Sequence, residues 1–232
     1  MIDAQLLKAA LDEARGRMDD ACGASGRPPG SAELVIAGKY VAPDEAAALV
    51  DAGARVIGEN RLQDLLAKQE AIGGEAVFDF IGHLQSRKVR DVLPRVRLVH
   101  SVDRLSLIDE IGRRAAGPVR VLLQVNIAGE ESKGGFAPAA LEPALEHASR
   151  AGVEVGGLMA LPPFTADPEA SRPWFEAVRE LRDDLASRWA GAHDLGELSM
   201  GTSQDFVVAV EAGATMVRVG RGIIDRTRME QP

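Results

Sequence analysis

A lysine follows the first strongly apolar segment of the chain, in a position where it could act as an amine nucleophile. Residues 34–43 read LVIAGKYVAP, and this segment is apolar up to Gly38, after which Lys39 follows. Such a lysine can lay its aliphatic stem on apolar surface and keep its ammonium group in water. It can also form a Schiff base with a carbonyl compound, provided that its pocket leaves part of the amine neutral. The rest of the sequence has to distinguish these two roles.

Two later segments have the composition of an anion-binding site. In MGTSQD, small residues and Ser203 open a predicted helix, where unpaired backbone N–H groups and the helix dipole favour an anion. In VGRG, Gly220 and Gly222 allow the backbone to approach a ligand closely. A lysine amine and a phosphate-binding segment in one ligand site would together suit a phosphorylated aldehyde. Pyridoxal 5′-phosphate is the cofactor with that chemistry.

The elements that must position these residues alternate along the chain. The short apolar segments are predicted strands: ELVIAG, RVIG, FDFIG, RLVHS, VRVLLQVNI, VEVGGLMAL, LGELSMG and TMVRVG. Predicted helices between them cover residues 44–52, 61–71, 86–93, 137–151, 171–189 and 203–212. This alternation, after an extra N-terminal helix, predicts an α/β fold, a single closed (β/α)₈ TIM-type barrel over residues 1–232. A doubly wound open sheet is the alternative, but no GxGxxG follows the first strand.

Polar residues gather where these predicted strands end. They include Lys39, Asn60, His83, His100, Ser101, Asn126, Ser132 and Lys133. In a barrel the carboxyl ends of all strands meet at one rim, where ligand sites are built. Each residue alone also has a structural explanation, since Asn60 or Ser203 could simply cap a helix. Their joint placement favours a site at the rim.

Composition excludes several classes of protein. With 27 basic and 35 acidic residues the net charge is -8, which disfavours nucleic acid and anionic membranes as partners. The single cysteine, Cys22, allows no internal disulfide and fits a reducing compartment. The amphipathic N-terminal segment lacks the apolar core of a signal peptide, and no later segment could span a membrane. We therefore expect a cytoplasmic protein.

Several segments, taken in order, resemble the pyridoxal phosphate homeostasis protein family. They are GKYVAPDE, GENRLQD, DFIGHLQSRK, VHSVD, QVNIAGEESKGGF, GLMAL, LSMGTSQDF and VRVGRGII. The resemblance covers residues 34–224 and implies the barrel of alanine racemase and related decarboxylases without their second β-domain. It also implies a protein that binds pyridoxal 5′-phosphate for intracellular homeostasis of this cofactor. Apoenzymes that depend on the cofactor are the protein partners this role allows, although the residues identify none.

The resemblance implies a role in cofactor binding for a set of rim residues. They are Lys39, Asn60, His83, Met200, Thr202, Ser203, Arg218, Gly220 and Arg221. Lys39 would carry the Schiff base, and Ser203 with the backbone near 202 and 220–221 would hold the phosphate. Arg218 would face the pyridine nitrogen, and Asn60, His83 and Met200 would lie around the ring. An arginine there keeps the nitrogen unprotonated, because two positive charges repel, and this weakens the cofactor as an electron sink.

Four positions depart from the usual pattern of the family. Gly38 stands where serine or threonine is common, and the spacer YVA before the proline is longer than usual. Thr202 stands where methionine is common, and Arg221 where a small residue is common. None of these changes removes a group that the site requires.

Two kinds of function remain open at this point. One is a cofactor carrier without significant turnover, and the other is a racemase or decarboxylase-like enzyme. The related racemases take a second base, a tyrosine, from a β-domain, whereas this chain has only DRTRMEQP after Ile224. Its single tyrosine, Tyr40, directly follows Lys39, and adjacent strand residues point to opposite faces. We therefore expect a monomeric carrier, not an enzyme. A barrel for an unrelated phosphorylated metabolite would leave Lys39 without a role.

Overall fold

Eight parallel strands form a closed barrel in the computed structural model, which describes residues 2–130 and 132–227. The strands are β1 (Glu33–Ala37), β2 (Val56–Glu59), β3 (Val77–Phe80), β4 (Leu98–Val102), β5 (Val119–Val125), β6 (Val153–Ala160), β7 (Glu197–Thr202) and β8 (Met216–Val219). They follow one another in chain order, and β8 pairs with β1 to close the barrel. The predicted (β/α)₈ barrel is confirmed, and the open doubly wound sheet is excluded.

Helices surround the barrel. They are α1 (Ala4–Ala24), α2 (Ala46–Asp51), α3 (Leu62–Ile72), α4 (Val89–Val92), α5 (Leu105–Arg114), α6 (Leu141–Arg150), α7 (Arg172–Arg188), α8 (Phe206–Glu211) and α9 (Arg221–Ile224). The extra N-terminal helix is α1, which begins after Asp3 because the Asp3 carboxylate accepts the N–H groups of Gln5 and Leu6. Over the part of the chain that the structure describes, no helix is both long and apolar enough to cross a membrane.

Two apolar cores hold these elements together. The larger one lies between the strands and the helices, and it includes the buried faces of α1, α6 and α8. The smaller one fills the barrel interior with Val35, Val56, Leu98, Leu122, Met159 and Met216. Successive side chains of a strand point to opposite faces. Residues two positions from Leu98 and Met216 therefore also face the interior, and this places His100 and Arg218 inside the barrel.

Candidate functional site

Lys39 lies immediately beyond β1, at the carboxyl end of the barrel. The strand ends at Ala37, and residues Gly38–Tyr40 form a single 3-10 turn. This differs from the prediction that Lys39 ends the strand itself. The turn leaves Lys39 exposed, and it brings Lys39 Nζ to 4.9 Å from the centre of the Tyr40 ring. The expectation that Lys39 and Tyr40 point to opposite faces is therefore wrong, because the alternation of a strand does not extend into the turn.

A buried ion pair explains why glycine precedes the lysine. Glu59 and Lys68 are both almost fully buried, and Lys68 Nζ lies 2.7 Å from Glu59 Oε1. Burial raises the pKa of Glu59, against the opposing hydrogen bond and charge of Lys68. A Cβ atom at position 38 would overlap Glu59 Oε1 and would lie 2.9 Å from Ile57 Cγ2. The departure at Gly38 is thus a steric requirement of the residues beneath the turn.

The loops after β7 and β8 meet at Ser203. The Ser203 Oγ atom accepts the backbone N–H groups of Gly220, at 3.2 Å, and of Gly222, at 3.1 Å. A Cβ at position 222 would lie 3.1 Å from Ser203 Cβ, so the two loops are in close contact. Two backbone N–H groups therefore converge on one hydroxyl oxygen at the rim. An oxyanion that took the place of the Ser203 Oγ atom would receive both of these donors.

We call the Ser203 hydroxyl and the backbone N–H groups of Gly220 and Gly222 the cradle. Tyr40 joins the turn that carries Lys39 to this cradle. A Cβ at position 220 would lie 2.6 Å from both Cδ2 and Cε2 of the Tyr40 ring. The Arg221 guanidinium lies 5.7 Å from the centre of the same ring, so the ring contacts both Lys39 and Arg221. Burial raises the pKa of the Tyr40 hydroxyl, but hydrogen bonds from Arg221 and Lys39 outweigh burial and lower it. The departures at Tyr40 and Arg221 therefore belong to one cluster.

Thr202 is bound within the turn that precedes α8. Its N–H group donates to Asp205 Oδ1 at 2.7 Å, and its hydroxyl donates to the same oxygen at 3.1 Å. The Thr202 N–H is thus already bound within the turn and is not offered to a ligand. The same turn delays α8, which begins at Phe206 and not at the predicted position 203.

Arg218 places a cation in the barrel interior. Only 6% of its surface is exposed. Its Nη1 donates to the Ser199 carbonyl at 2.7 Å and to Ser199 Oγ, and its Nη2 donates to the Ala160 carbonyl at 2.9 Å. Burial lowers the pKa of Arg218 to about 10, with the charge of Asp205 opposing the shift. The guanidinium therefore stays positively charged at neutral pH.

Asn60 and His83 both lie in loops on the rim. Asn60 Oδ1 is buried and accepts no hydrogen bond from any described residue, so a ligand could supply its missing donor. Gly82 packs against this loop, since a Cβ at position 82 would lie 2.5 Å from the Asn60 carbonyl oxygen. The His83 side chain is largely exposed, with its Nδ1 3.1 Å from Asp103 Oδ2. Asn60 is thus the better placed of the two to contact a ligand.

The chain is similar to known proteins over most of its length. Residues 38–224 match the family model described as alanine racemase, N-terminal domain. The chain is 43% identical over 209 residues to the pyridoxal phosphate homeostasis protein of Aquifex aeolicus, a match that covers 88% of this chain and 91% of that protein. This chain belongs to the pyridoxal phosphate homeostasis protein family. The human member of the family is 36% identical over 186 residues, which covers 74% of this chain and 68% of the human protein.

Solved structures agree with this assignment. PipY of Synechococcus elongatus PCC7942 is 29% identical, and each match covers 94% of this chain and 99% of PipY. The TM-score is 0.82 for PipY without PLP and 0.80 for PipY with PLP bound. The lysine/ornithine decarboxylase of Vibrio vulnificus has a TM-score of 0.71 at 16% identity, and the match covers 62% of that chain. That likeness shows a shared barrel fold alone.

Met200 and His100 lie at places that differ from those predicted from the sequence. Met200 is fully buried in the larger core, because its neighbour Ser199 faces the barrel interior and Met200 faces the opposite side. The predicted place of Met200 beside the cofactor ring is therefore not supported. His100 is fully buried inside the barrel and not at the rim, because β4 continues to Val102.

Sequence reasoning missed two groups near the family's predicted site. The first is Asp205, whose carboxylate organises the turn before α8. The second is the set of polar groups behind Arg218, which includes Ser199 and Asp79. A signal for the second group was present, since DFIG and LSMG each carry one polar residue within an otherwise apolar strand. An isolated polar residue of this kind needs a buried partner.

Proposed function

We propose that this protein binds pyridoxal 5′-phosphate at the carboxyl rim of its barrel and holds it covalently on Lys39. The observation that carries the proposal is the convergence of the Gly220 and Gly222 N–H groups on Ser203, on the same rim as Lys39. The family of the chain and the PipY structure with PLP bound support the same ligand. The biological role that follows is homeostasis of the cofactor.

The residues of the rim fit the separate parts of this cofactor. The Gly220 and Gly222 N–H groups, which bind Ser203 Oγ here, and the Ser203 hydroxyl are the donors that would hold a phosphate. The Arg218 guanidinium offers a cation for a pyridine nitrogen. Asn60 Oδ1 is a buried acceptor without a donor among the described residues, and it could accept a hydrogen bond from the ligand. When bound, pyridoxal phosphate supplies an aldehyde that condenses with a primary amine and releases water.

Lys39 and Tyr40 can exchange the protons that condensation of the aldehyde with the lysine amine requires. Lys39 is exposed, so its amine is accessible to an incoming ligand. Condensation requires that Lys39 Nζ lose protons and that a water molecule leave, and a neighbouring acid or base assists both. The Tyr40 hydroxyl interacts with Lys39, and the lowered pKa of this hydroxyl suits it to exchange a proton with Nζ. Tyr40 is therefore a positioning and proton-exchange residue for the lysine.

The same geometry favours a carrier over a racemase. Racemisation of an amino acid needs one base on each face of the reacting carbon. Tyr40 contacts the amine of Lys39, so it acts on the same side as the lysine. A pyridine nitrogen that faces Arg218 stays unprotonated, because two positive charges repel, and this limits carbanion chemistry. We infer that turnover of amino acids is weak or absent.

Borohydride reduction of the loaded protein tests the covalent site. Reduction followed by peptide mass mapping should place a pyridoxyl group on Lys39. Lys39→Ala should abolish the absorbance band of the bound cofactor, while the matched variant Lys133→Ala should retain it. A label on Lys133 or Lys88 in the parent protein would overturn the assignment.

Amino-acid turnover needs a separate measurement. The loaded protein should be incubated with L-alanine in deuterated water, and deuterium at Cα should be followed by NMR. We expect exchange far slower than a kcat of about 1 per second, which is the low end for typical enzymes. Faster exchange that is lost in Tyr40→Phe or in His83→Ala would show an enzyme with that residue as its base.

A further inference from the structure

A continuous chain of buried hydrogen bonds crosses the interior of the barrel behind Arg218. Arg218 Nη1 donates to Ser199 Oγ, and Ser199 Oγ lies 2.8 Å from His100 Nδ1. On its other side, His100 Nε2 lies 3.1 Å from Asp79 Oδ2, which accepts Arg97 Nη2 at 2.7 Å. Ser199, His100 and Asp79 have no exposed surface. We call these five residues the interior chain.

The interior chain ends at the mouth of the barrel opposite the rim. Arg97 directly precedes β4, and Glu33 is the first residue of β1, so both lie at the amino ends of strands. Glu33 accepts Arg97 through both carboxylate oxygens, at 3.1 and 2.7 Å. Arg97 also donates to both oxygens of Asp79. The buried Asp79 carboxylate is thus fixed from the solvent side by a paired arginine.

With Asp79 ionised and His100 neutral, one arrangement of protons satisfies every hydrogen bond of the interior chain. Arg218 can only donate, so Ser199 Oγ accepts from it. An ionised Asp79 can only accept, so His100 Nε2 carries a proton and donates it. If His100 is neutral, its Nδ1 is an acceptor and takes the hydroxyl proton of Ser199. Arg218 then donates to Ser199 Oγ, the Ser199 hydroxyl donates to His100 Nδ1, and His100 Nε2 donates to Asp79, so no donor faces another donor.

The surrounding charges favour this neutral state of His100. The charged groups that contact or face the imidazole are Asp79, Arg97 and Arg218. Burial lowers the pKa of His100, and the two arginines add to the effect, while Asp79 opposes it. Burial raises the pKa of Asp79, but His100 and Arg97 outweigh burial and lower it. The carboxylate is therefore ionised and the imidazole neutral at pH 7.

Arg218 depends on the interior chain because it has no acidic partner of its own. Within residues 2–130 and 132–227, no carboxylate lies within ion-pair distance of its guanidinium. Its acceptors are two carbonyl groups and one hydroxyl, all neutral. An arginine held only by neutral groups in an apolar interior needs each of these bonds, since an unpaired buried donor is costly.

We propose that Ser199 and His100 are positioning residues that fix the Arg218 guanidinium before the ligand arrives, with Asp79 and Arg97 as the anchor. The identity of the ligand rests on the proposed function, whereas the fixation of Arg218 does not. A fixed guanidinium beneath the rim presents its charge in one place, so a heteroaromatic nitrogen is recognised without rearrangement of the barrel.

NMR of the cofactor-free protein tests the fixation directly. The Nε–H signal of Arg218 is assigned by its loss in Arg218→Lys. We expect a sharp, slowly exchanging signal in the parent, and exchange with water faster by roughly tenfold in Ser199→Ala and in His100→Gln. Ser171→Ala is the matched control, because Ser171 is equally buried but its hydroxyl contacts Thr165. An Arg218 signal unchanged in both variants would overturn the proposal.

Nitrogen-15 labelling of histidine tests the proton arrangement in the same sample. His100 should show a protonated Nε2 and an unprotonated Nδ1 at pH 7, and Ser199→Ala should shift the Nδ1 resonance. A doubly protonated His100 would contradict the arrangement.

Titration with pyridoxal phosphate separates the two proposals. Its bound absorbance maximum should shift in Ser199→Ala and not in Ser171→Ala. If the parent protein binds no cofactor, the proposed function is wrong. The NMR measurement on the cofactor-free protein still decides whether Ser199 and His100 fix Arg218. If the cofactor spectrum is the same in all three proteins, Ser199 has a structural role only.

Discussion

The Tyr40 ring lies in the place that a side chain at position 220 would occupy. A Cβ built on Gly220 comes within 2.6 Å of two ring carbons, although the two residues are 180 positions apart in the chain. The contact joins the turn after β1, which carries Lys39, to the loop after β8, which carries the cradle. The Tyr40 ring therefore lies between Lys39 and the predicted phosphate site.

Gly220→Ala should weaken cofactor binding through this contact. The added methyl group displaces the ring or the loop, at a cost of about 1–3 kcal/mol typical of overpacking. The dissociation constant from an absorbance titration is the measurement, and Gly16→Ala is the control, since a Cβ there meets no atom within 4 Å. The double variant Gly220→Ala with Tyr40→Ala should recover the packing. Equal affinity of Gly220→Ala and the parent would contradict the contact.

Ser203→Ala tests the cradle. Loss of one hydrogen bond to a charged group should weaken pyridoxal phosphate binding by roughly 1.5–3 kcal/mol. Pyridoxal, which lacks the phosphate, serves as the comparison ligand, and its affinity for Ser203→Ala and for the parent should be the same. A similar loss for both ligands would mean that Ser203 does not contact the phosphate.

Tyr40→Phe should slow the reaction of the cofactor with Lys39 while keeping the ring in place. The variant removes the hydroxyl whose pKa Arg221 and Lys39 lower, and with it the proton exchange at Nζ. We expect the observed rate after mixing with pyridoxal phosphate to fall by about tenfold or more. A tenfold change is smaller than the rate contribution of a typical acid–base residue. Stopped-flow absorbance measures this rate. An unchanged rate would leave Tyr40 as a packing residue alone.

His100 makes the fold sensitive to mild acid. Because its pKa is lowered in the folded protein, the unfolded chain takes up a proton first as the pH falls below about 6.5. The stabilisation is therefore complete above this pH and declines as the pH falls toward the folded-state pKa. Urea unfolding across the pH range should show this decline in the parent and a smaller one in His100→Gln, which cannot be protonated. Identical slopes would refute the buried neutral state.

Gly38→Ala should destabilise the fold more than a glycine-to-alanine substitution in open space would. The new Cβ overlaps Glu59 Oε1, and Glu59 cannot move away without leaving Lys68 buried and unpaired. We expect a loss of about 1–3 kcal/mol in the free energy of unfolding. Gly117→Ala is a suitable control, since a Cβ there meets no atom within 4 Å. A neutral effect at position 38 would show that the turn adjusts freely.

The fold and the outline of the rim could be predicted because both depend on local patterns. Alternating apolar strands and amphipathic helices predict the barrel, and the glycines around Ser203 predict the cradle. The details that differ depend on where each strand stops. A 3-10 turn after Ala37 brings Tyr40 beside Lys39, and an irregular register between Ser199 and Thr202 precedes the turn of Asp205. Neither the turn nor the register leaves a periodic signal in the sequence.

The exposure of Lys39 has a consequence for the concentration of free aldehyde in its surroundings. A lysine in a turn outside the barrel can gain and lose its ligand without any opening of the strands. Under the proposed function, occupancy then follows mass action, and the free concentration stays near the dissociation constant while the protein is partly loaded. Such a protein buffers a reactive aldehyde in the way that a weak acid buffers protons, and its abundance sets the capacity of the buffer.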